Sequence, residues 1–350
     1  MHRVGWSQRD HFRHRYGSAE SILQILFILS QLSPPGCGRL CFAHYADRRT
    51  PFQFDAITSP IHRRRSRDSA SMKIRKVLVT AANPLQRTLP LQTLIDPAGE
   101  PKSALQVVLE EASGAGIEEF GVVICPGDER AYADACGGLR SRVRFIAQDS
   151  PRGYGHAVLC GREFVGAEPL LHLVGDHLHV AHGATSCARQ LLDVATTKDA
   201  PVSAVQPTRE SQLTSFGAVG GRLVGGARPL YHVEAVLEKP TPTIAEQQLI
   251  VPGLRAGFYL CFFGMHVLDP EIFALLQEQQ RNAPNVSLGL SPALHALASR
   301  RRYLAFSVAG RRFDIGAPYG VLIAQLALSL SGRDRDRVLT QLVELLATRA

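Results

Sequence analysis

Between Arg152 and Leu178 the chain reads "RGYGHAVLCGREFVGAEPLLHLVGDHL". The last part, "PLLHLVGD" (169–176), is an apolar run bounded by turn residues and ending on an acid. Such a run is the pattern of a strand buried on both faces. The segment before it, 155–165, has apolar positions at helical spacing. Helix followed by doubly buried strand is half of a βαβ unit, so the question is whether the flanking chain repeats it.

It does. Upstream, "KVLVTAA" (76–82), "EFGVVICP" (119–126) and "RVRFIAQ" (142–148) read as buried strands, and "SALQVVLEEASGAG" (103–116) as a helix closed by glycine. Downstream, "ATSCARQLLDVATTKD" (184–199) reads as a helix and "PVSAVQPT" (201–208) as a strand. The alternation predicts an α/β fold: a Rossmann-like mixed, mostly parallel sheet covered by helices on both faces. After residue 208 shorter glycine-rich strands take over, in "SFGAVGGRLV", "HVEAVLEKP" and "RAGFYLCFFG". They predict a partly antiparallel continuation that adds an acceptor pocket. Two helices follow, "EIFALLQEQ" and "SPALHALASRRR", then a strand pair, "YLAFSVAGRRFDIG" (303–316), and an amphipathic helical stretch from about 318 to 350.

Composition narrows the class. With 350 residues, 45% of them hydrophobic, the chain can bury a sizeable core. The net charge of +8 suggests a nucleic-acid binder until it is located. Residues 1–71 carry 11 Lys and Arg against 5 Asp and Glu, leaving 28 against 26 for the remainder. The rest is nearly neutral, which argues against a nucleic-acid polymer as partner. The seven cysteines form no CxxC or zinc-like spacing, so reduced, buried thiols in a cytoplasmic protein are expected. The apolar run "ILQILFILSQL" falls short of the roughly 20 residues a membrane span needs, and no clear cleavage site follows it. Residues 1–71 are therefore expected to be a disordered or non-native extension, with Met72 as the biological start.

Ligands in open α/β sheets bind beyond the carboxyl ends of the strands, where Gln148, Gly153 and Asp176 fall. Gly153 and Gly155 would let backbone approach a ring or a phosphate. Asp176 could hold a dication while substrate phosphates fill other positions. The same residues would also serve a plain turn and strand end. In "VLEKP" (236–240) Glu238 and Lys239 should point to opposite faces of a strand, unless the alternation breaks at the last position. "RFDIG" (312–316) supplies Asp314 beside a glycine. The alternating histidines of "HLHVAH" (177–182) read as partly exposed polar surface rather than a metal site.

Taken in order, these pieces resemble the UTP–glucose-1-phosphate uridylyltransferase family, bacterial sugar-nucleotide pyrophosphorylases of the nucleotide-diphospho-sugar transferase type. The resemblance runs from about Met72 to Val343. It rests on "AQDSPRGYGHAVLCGREFVGAEPLLHLVGDHL", on "SFGAV", on "VLEKP", on "AGFYL" and on "FDIG". It implies a nucleotidyltransferase domain over 72–343 with a short tail at 344–350. It implies UTP and a sugar 1-phosphate as substrates, a UDP-sugar as product, Mg²⁺ as cofactor, and a homo-oligomer. By the same resemblance Gln148 would meet the uracil edge, with Ala82 and the Gly153–Gly155 loop around the nucleotide. Asp176 and Asp314 would hold Mg²⁺, Gly217 and Glu238 the sugar, and Lys239 the sugar phosphate.

One element departs from the family. Where it has the loop "A-G-x-G-T-R", then "P-x-T-K" and "K-E-M-L-P", this chain reads "VTAANPLQRTLPLQTLIDPAGEPK" (79–102). Both glycines are absent, Pro84 removes a backbone donor, and no lysine occurs from Val77 to Pro101. Arg87 would stand for the family's arginine if one extra residue is allowed before it, making it a catalytic candidate with Lys239. Lys102 is a second substitute cation. The family's "E-I-Q-L-T-D" is likewise eroded, to "VSLGLSPAL" (286–294). Three expectations follow: an active uridylyltransferase with a replacement cation, a catalytically silent relative that binds a UDP-sugar as sensor or partner subunit, or a pyrophosphorylase for another sugar or nucleotide.

Overall fold

The computed structural model describes residues 72–225 and 228–348. Every described residue lies in one compact unit, Ser71–Ala350. The expectations for residues 1–71 lie outside the described residues.

In chain order, the first half comprises β1 (Lys76–Thr80), a small hairpin of β2 (Thr93–Ile95) and β3 (Pro101–Ser103), α1 (Ala104–Gly114), β4 (Glu119–Ile124), α2 (Glu129–Ala135), β5 (Val143–Ala147), α3 (Tyr154–Cys160), α4 (Arg162–Val165) and β6 (Leu170–Val174). Next come β7 (His177–Ala181), α5 (Cys187–Lys198), β8 (Val202–Arg209), β9 (Gly217–Leu223), β10 (Leu230–Glu238), α6 (Pro242–Gln248) and β11 (Phe258–Leu268). The chain closes with α7 (Glu271–Asn282), α8 (Leu290–Arg300), β12 (Leu304–Ser307), β13 (Gly310–Asp314), α9 (Gly320–Ser331) and α10 (Arg335–Ala347). The last helix thus runs past the boundary expected at residue 343.

Strand alternation sorts the core into two layers. Val77 and Val79 pack with Leu105 of α1 and Leu191 of α5 on one face of the sheet. Leu78, between them, packs with Val158 of α3 and Leu276 of α7 on the other. Each such buried side chain contributes about 1.5–3 kcal/mol relative to exposure. The helix expected over 155–165 is interrupted at Gly161, where a Cβ would come 2.3 Å from the Leu78 side chain. A close helix-to-strand approach is therefore what demands glycine there.

The main sheet has nine strands in the order β5-β4-β1-β6-β11-β8-β12-β10-β9. It is mixed, and the expectation that it is mostly parallel holds only for its first part. β5, β4, β1 and β6 run parallel, as do β8 and β12. The other pairings, of β11 with β6, β8 and β9 and of β10 with β9 and β12, are antiparallel. The reason lies in the connections: helical crossovers join the early strands, whereas β9 and β10 follow one another as antiparallel neighbours. The additional β11–β9 pairing closes β11, β8, β12, β10 and β9 into a ring, a small barrel-like addition to the open sheet. The strand pair expected over 303–316 separates: β12 enters the main sheet, while β13 leaves it to pair with β7.

Among the described residues, no helix is long and apolar enough to cross a membrane. The five described cysteines are all unpaired, and four of them are buried.

Candidate active site

The carboxyl ends of β1 and β6 lie in register, Thr80 opposite Val174, and the chain leaving them walls a cleft of about 530 Å³. Eight of the residues singled out from the sequence line it: Ala82, Gln148, Gly153, Asp176, Gly217, Glu238, Lys239 and Asp314. They come from both halves of the sheet and are brought together by the fold alone.

Asp176 follows β6 after Gly175, and Asp314 ends β13. The β7/β13 ribbon sets Asp314 opposite His177, and its frame is fixed by Ile315 N–H donating to the Asp176 carbonyl at 2.9 Å. Asp176, His177 and Asp314 each present one ligand atom within 4.8 Å of the others. Burial pushes the Asp176 carboxyl up, but its hydrogen bond with His177 Nδ1 (2.7 Å) and the neighbouring charge outweigh that, leaving it below the ordinary value. Asp314 Oδ1 accepts from Gly316 N–H at 2.8 Å. Two half-buried carboxylates converging on an open cleft suit a divalent cation that completes its shell with phosphate oxygens and water.

In the barrel-like part of the sheet, β10 ends at Glu238. Lys239 adopts a left-handed backbone, with φ of 45°, while its N–H donates to the Phe216 carbonyl at 3.1 Å. That reversal breaks the strand alternation, and Glu238 and Lys239 both face the cleft. Ser291 at the start of α8 donates to Glu238 Oε2 at 2.6 Å, fixing the carboxylate. A Cβ on Gly217 would meet the Phe262 ring at 2.8 Å and both Glu238 Oε2 and Ser291 Oγ at 3.0 Å, so glycine keeps this wall open.

Gln148 is 4% exposed. Its N–H donates to the Ile124 carbonyl at 3.0 Å, and its Nε2 lies 2.9 Å from His156 Nδ1 and 3.3 Å from the Gly153 carbonyl. With the amino end so engaged, its carboxamide oxygen is the group left to accept. The glycines after it also meet a packing demand that the sequence did not show. Gly153 has φ of 106°, and a Cβ there would lie 2.3 Å from Ser287 Oγ and 2.8 Å from the Leu288 carbonyl oxygen. Gly155 is buried, does not line the cleft, and donates to the same carbonyl at 2.8 Å. The pair makes room for the 287–289 segment, and only Gly153 borders the cleft.

The substitute cations lie elsewhere. Arg87 does not line the cleft; its guanidinium pairs with Asp128, and the buried Tyr132 hydroxyl donates to its carbonyl at 2.8 Å. Lys102 pairs with Asp96 at 2.9 Å and Glu110 at 2.6 Å. Ala82, Asn83, Pro84, Gln86 and Pro90 form the wall where the triphosphate loop was expected. Among the described residues, Lys239 is the single Lys or Arg lining the cleft, against the carboxylates of Asp176, Glu238 and Asp314.

Residues not singled out from the sequence complete the walls, among them Tyr154, Phe216, Phe262 and His266. Within "HLHVAH", read as partly exposed surface, His182 is exposed, but half-buried His177 lines the cleft and His179 is 8% exposed, its Nε2 3.1 Å from the Phe263 carbonyl. The period-two spacing of these histidines was the available signal, since it puts both on one face of a strand.

A profile of the nucleotidyl transferase family matches residues 83–328. The chain is 28% identical over 294 residues to the UTP–glucose-1-phosphate uridylyltransferase of Bacillus subtilis, covering 76% of this chain and 95% of that protein. It is 26% identical over 299 residues to the enzyme of the same name from Staphylococcus epidermidis, covering 78% and 98%. Among solved structures it resembles a UDP-glucose pyrophosphorylase complexed with UDP-glucose, with TM-score 0.60 at 22% identity over 73% of this chain and 98% of the other. It also resembles a UTP-bound enzyme from Acinetobacter baumannii, with TM-score 0.59 at 22% identity over 77% and 99%.

Proposed function

Because the chain belongs to the nucleotidyl transferase family, we propose that its cleft joins a uridine nucleotide to a sugar phosphate, forming UDP-glucose and pyrophosphate from UTP and glucose 1-phosphate. The observation that carries this is the pairing of β7 with β13, which brings Asp176 and Asp314 together in a cleft that Glu238 and Lys239 also line. Relatives named UTP–glucose-1-phosphate uridylyltransferase support the nucleotide and sugar.

In this reading the Gln148 oxygen accepts from the uracil N3–H, and Gly153 lets the ring lie against the loop. Glu238, oriented by Ser291, accepts from sugar hydroxyls, and the Gly217 backbone runs beneath the sugar. Lys239 holds the sugar phosphate. An oxygen of that phosphate attacks the α-phosphorus of UTP, a new P–O bond forms, and the bond to the β-phosphate breaks with its electron pair leaving on pyrophosphate. No protein nucleophile is required, so positioning and charge neutralisation supply the rate. Asp176 and Asp314 would hold a divalent cation, Mg²⁺ in the family's pattern, which when bound offsets the phosphate charge. The free cysteines support a cytoplasmic location. The exposed apolar residues Val343, Leu345 and Leu346 of α10 support assembly into a homo-oligomer.

Pyrophosphate release from UTP and glucose 1-phosphate with Mg²⁺, using the full chain, tests the proposal. Turnover that disappears in Asp176→Ala supports it. A second reading, a silent relative that binds a UDP-sugar, is favoured by one observation: the wall from Ala82 to Pro90 offers no cation, with Arg87 and Lys102 both ion-paired outside the cleft. Binding of UDP-glucose without any turnover would select that reading.

A further inference from the structure

We propose that His177 is the third protein ligand of the cation site, and that the site therefore selects Mn²⁺ over Mg²⁺. The inference rests on the reading of Asp176 and Asp314 as a cation site and adds the residue that sets its metal preference.

Three observations place the imidazole. The ribbon register puts His177 directly opposite Asp314, and in an antiparallel pair opposite residues share a face. His177 Nδ1 lies 2.7 Å from Asp176 Oδ1, and one ligand atom from each of the three residues falls within 4.8 Å of the others. Finally, the ring occupies a hollow that the main chain keeps clear for it. Gly264, in β11 where its register with β8 shifts, has φ of 77°, and a Cβ there would come 3.2 Å from the ring atoms of His177. The imidazole is thus seated between the β11 backbone and two carboxylates, and all four residues border the cleft.

The chemistry of that donor set differs from two carboxylates alone. Mg²⁺ favours oxygen donors, demands near-ideal octahedral geometry and keeps several waters. Carboxylate oxygens suit both Mg²⁺ and Mn²⁺, whereas an imidazole nitrogen is a donor for first-row transition dications rather than for Mg²⁺. The cleft also has more need of a firmly held cation than its charge count first suggests. Lys239 is the one Lys or Arg lining it among the described residues, and it follows β10 rather than belonging to the ribbon. A cation held by three side chains, rather than one brought in with the nucleotide, would place positive charge where the altered loop supplies none.

The test uses the full-length protein without nucleotide. Mn²⁺ is titrated and its free fraction read by electron paramagnetic resonance, with Mg²⁺ as competitor. Pulsed measurements on bound Mn²⁺ report whether a nitrogen is coordinated. Wild type should bind Mn²⁺ at least about 10-fold more tightly than Mg²⁺ and show the nitrogen coupling. His177→Asp, which keeps a ligand but makes it oxygen, should retain cation binding, lose the nitrogen coupling and narrow the Mn²⁺/Mg²⁺ ratio by about 10-fold. Retained binding of Mg²⁺ by that variant shows that it is folded. The proposal is overturned if His177→Ala leaves the Mn²⁺ affinity and the metal ratio unchanged while Asp176→Asn removes binding. In that event His177 only orients Asp176, and the two-carboxylate site of the proposed function stands. If neither metal binds, even with UDP-glucose present, the proposed function fails together with this inference.

Discussion

Replacing Gly153 by alanine probes how the cleft is built. Gly153 has φ of 106° and ψ of 178°, a backbone region that is essentially reserved for glycine, and holding alanine there costs about 1–3 kcal/mol. The added methyl would also lie 2.3 Å from Ser287 Oγ and 2.8 Å from the Leu288 carbonyl oxygen. The serine can rotate away, but the carbonyl cannot move freely. It accepts from Gly155 N–H at 2.8 Å, and Leu288 N–H donates to the Arg152 carbonyl at 2.6 Å. Displacing the segment weakens both bonds at about 1 kcal/mol each, giving a total loss of about 3–5 kcal/mol. Gly127→Ala is the matched control: φ is 87°, but no atom lies within 4 Å of the added carbon, so strain alone of about 1–2 kcal/mol is expected. Urea unfolding of both variants gives the comparison, and UDP-glucose calorimetry shows whether the loss reaches the cleft. If Gly153→Ala is no more costly than Gly127→Ala, the 287–289 segment does not brace this loop and the account of its glycines is wrong.

Other outcomes follow from the same geometry. Ser291→Ala frees Glu238, whose carboxylate accepts from the hydroxyl at 2.6 Å; KM for the sugar phosphate should rise about 10-fold, since a hydrogen bond to a charged group is worth about 1.5–3 kcal/mol, with KM for UTP unchanged. An equal rise in both would contradict the assignment of Glu238 to the sugar. Lys239→Ala should weaken UDP-glucose binding by about 10-fold or more, whereas Arg87→Ala, whose guanidinium is paired with Asp128 outside the cleft, should change it by no more than about 2-fold; calorimetry that reverses this order would contradict the site. Burial pushes His172 down to about 3, and no atom partners either ring nitrogen. Between its unfolded value near 6.5 and that folded value, the unfolded chain binds a proton the folded one refuses. Its contribution is therefore intact above pH 6.5 and is lost as pH falls, at about 1.4 kcal/mol per pH unit. His172→Leu should raise stability at pH 7 by about 1–2 kcal/mol and flatten the acid limb by that slope; an unchanged slope in urea unfolding at pH 5 and 7 would contradict it.

The buried strands and the acid at the end of β6 were readable because a doubly covered strand needs an unbroken apolar run, and a ligand edge needs a polar residue just after it. The Glu238–Lys239 pair was readable for a related reason, since the proline that follows ends the strand and lets its alternation break. What could not be read is pairing between distant segments. Asp314 meets Asp176 only because β13 leaves the main sheet for β7, and nothing local to either strand distinguishes that partner from β12. The ring closed by β11 and β9 is of the same kind. Side-chain partners were equally hidden: Arg87 reads as a free cation until the fold brings Asp128 beside it. Gly155 reads as ligand clearance, although it is the 287–289 backbone that excludes a side chain there.

The central claim, that this cleft still performs uridylyl transfer despite its altered loop, is tested most directly in reverse. UDP-glucose is incubated with labelled pyrophosphate and a divalent cation, and label is followed into UTP. The account expects label to appear with wild-type protein and to be lost in Asp314→Ala. Absence of label while calorimetry shows UDP-glucose bound in the same cleft would contradict it and leave the protein a binder of the product alone.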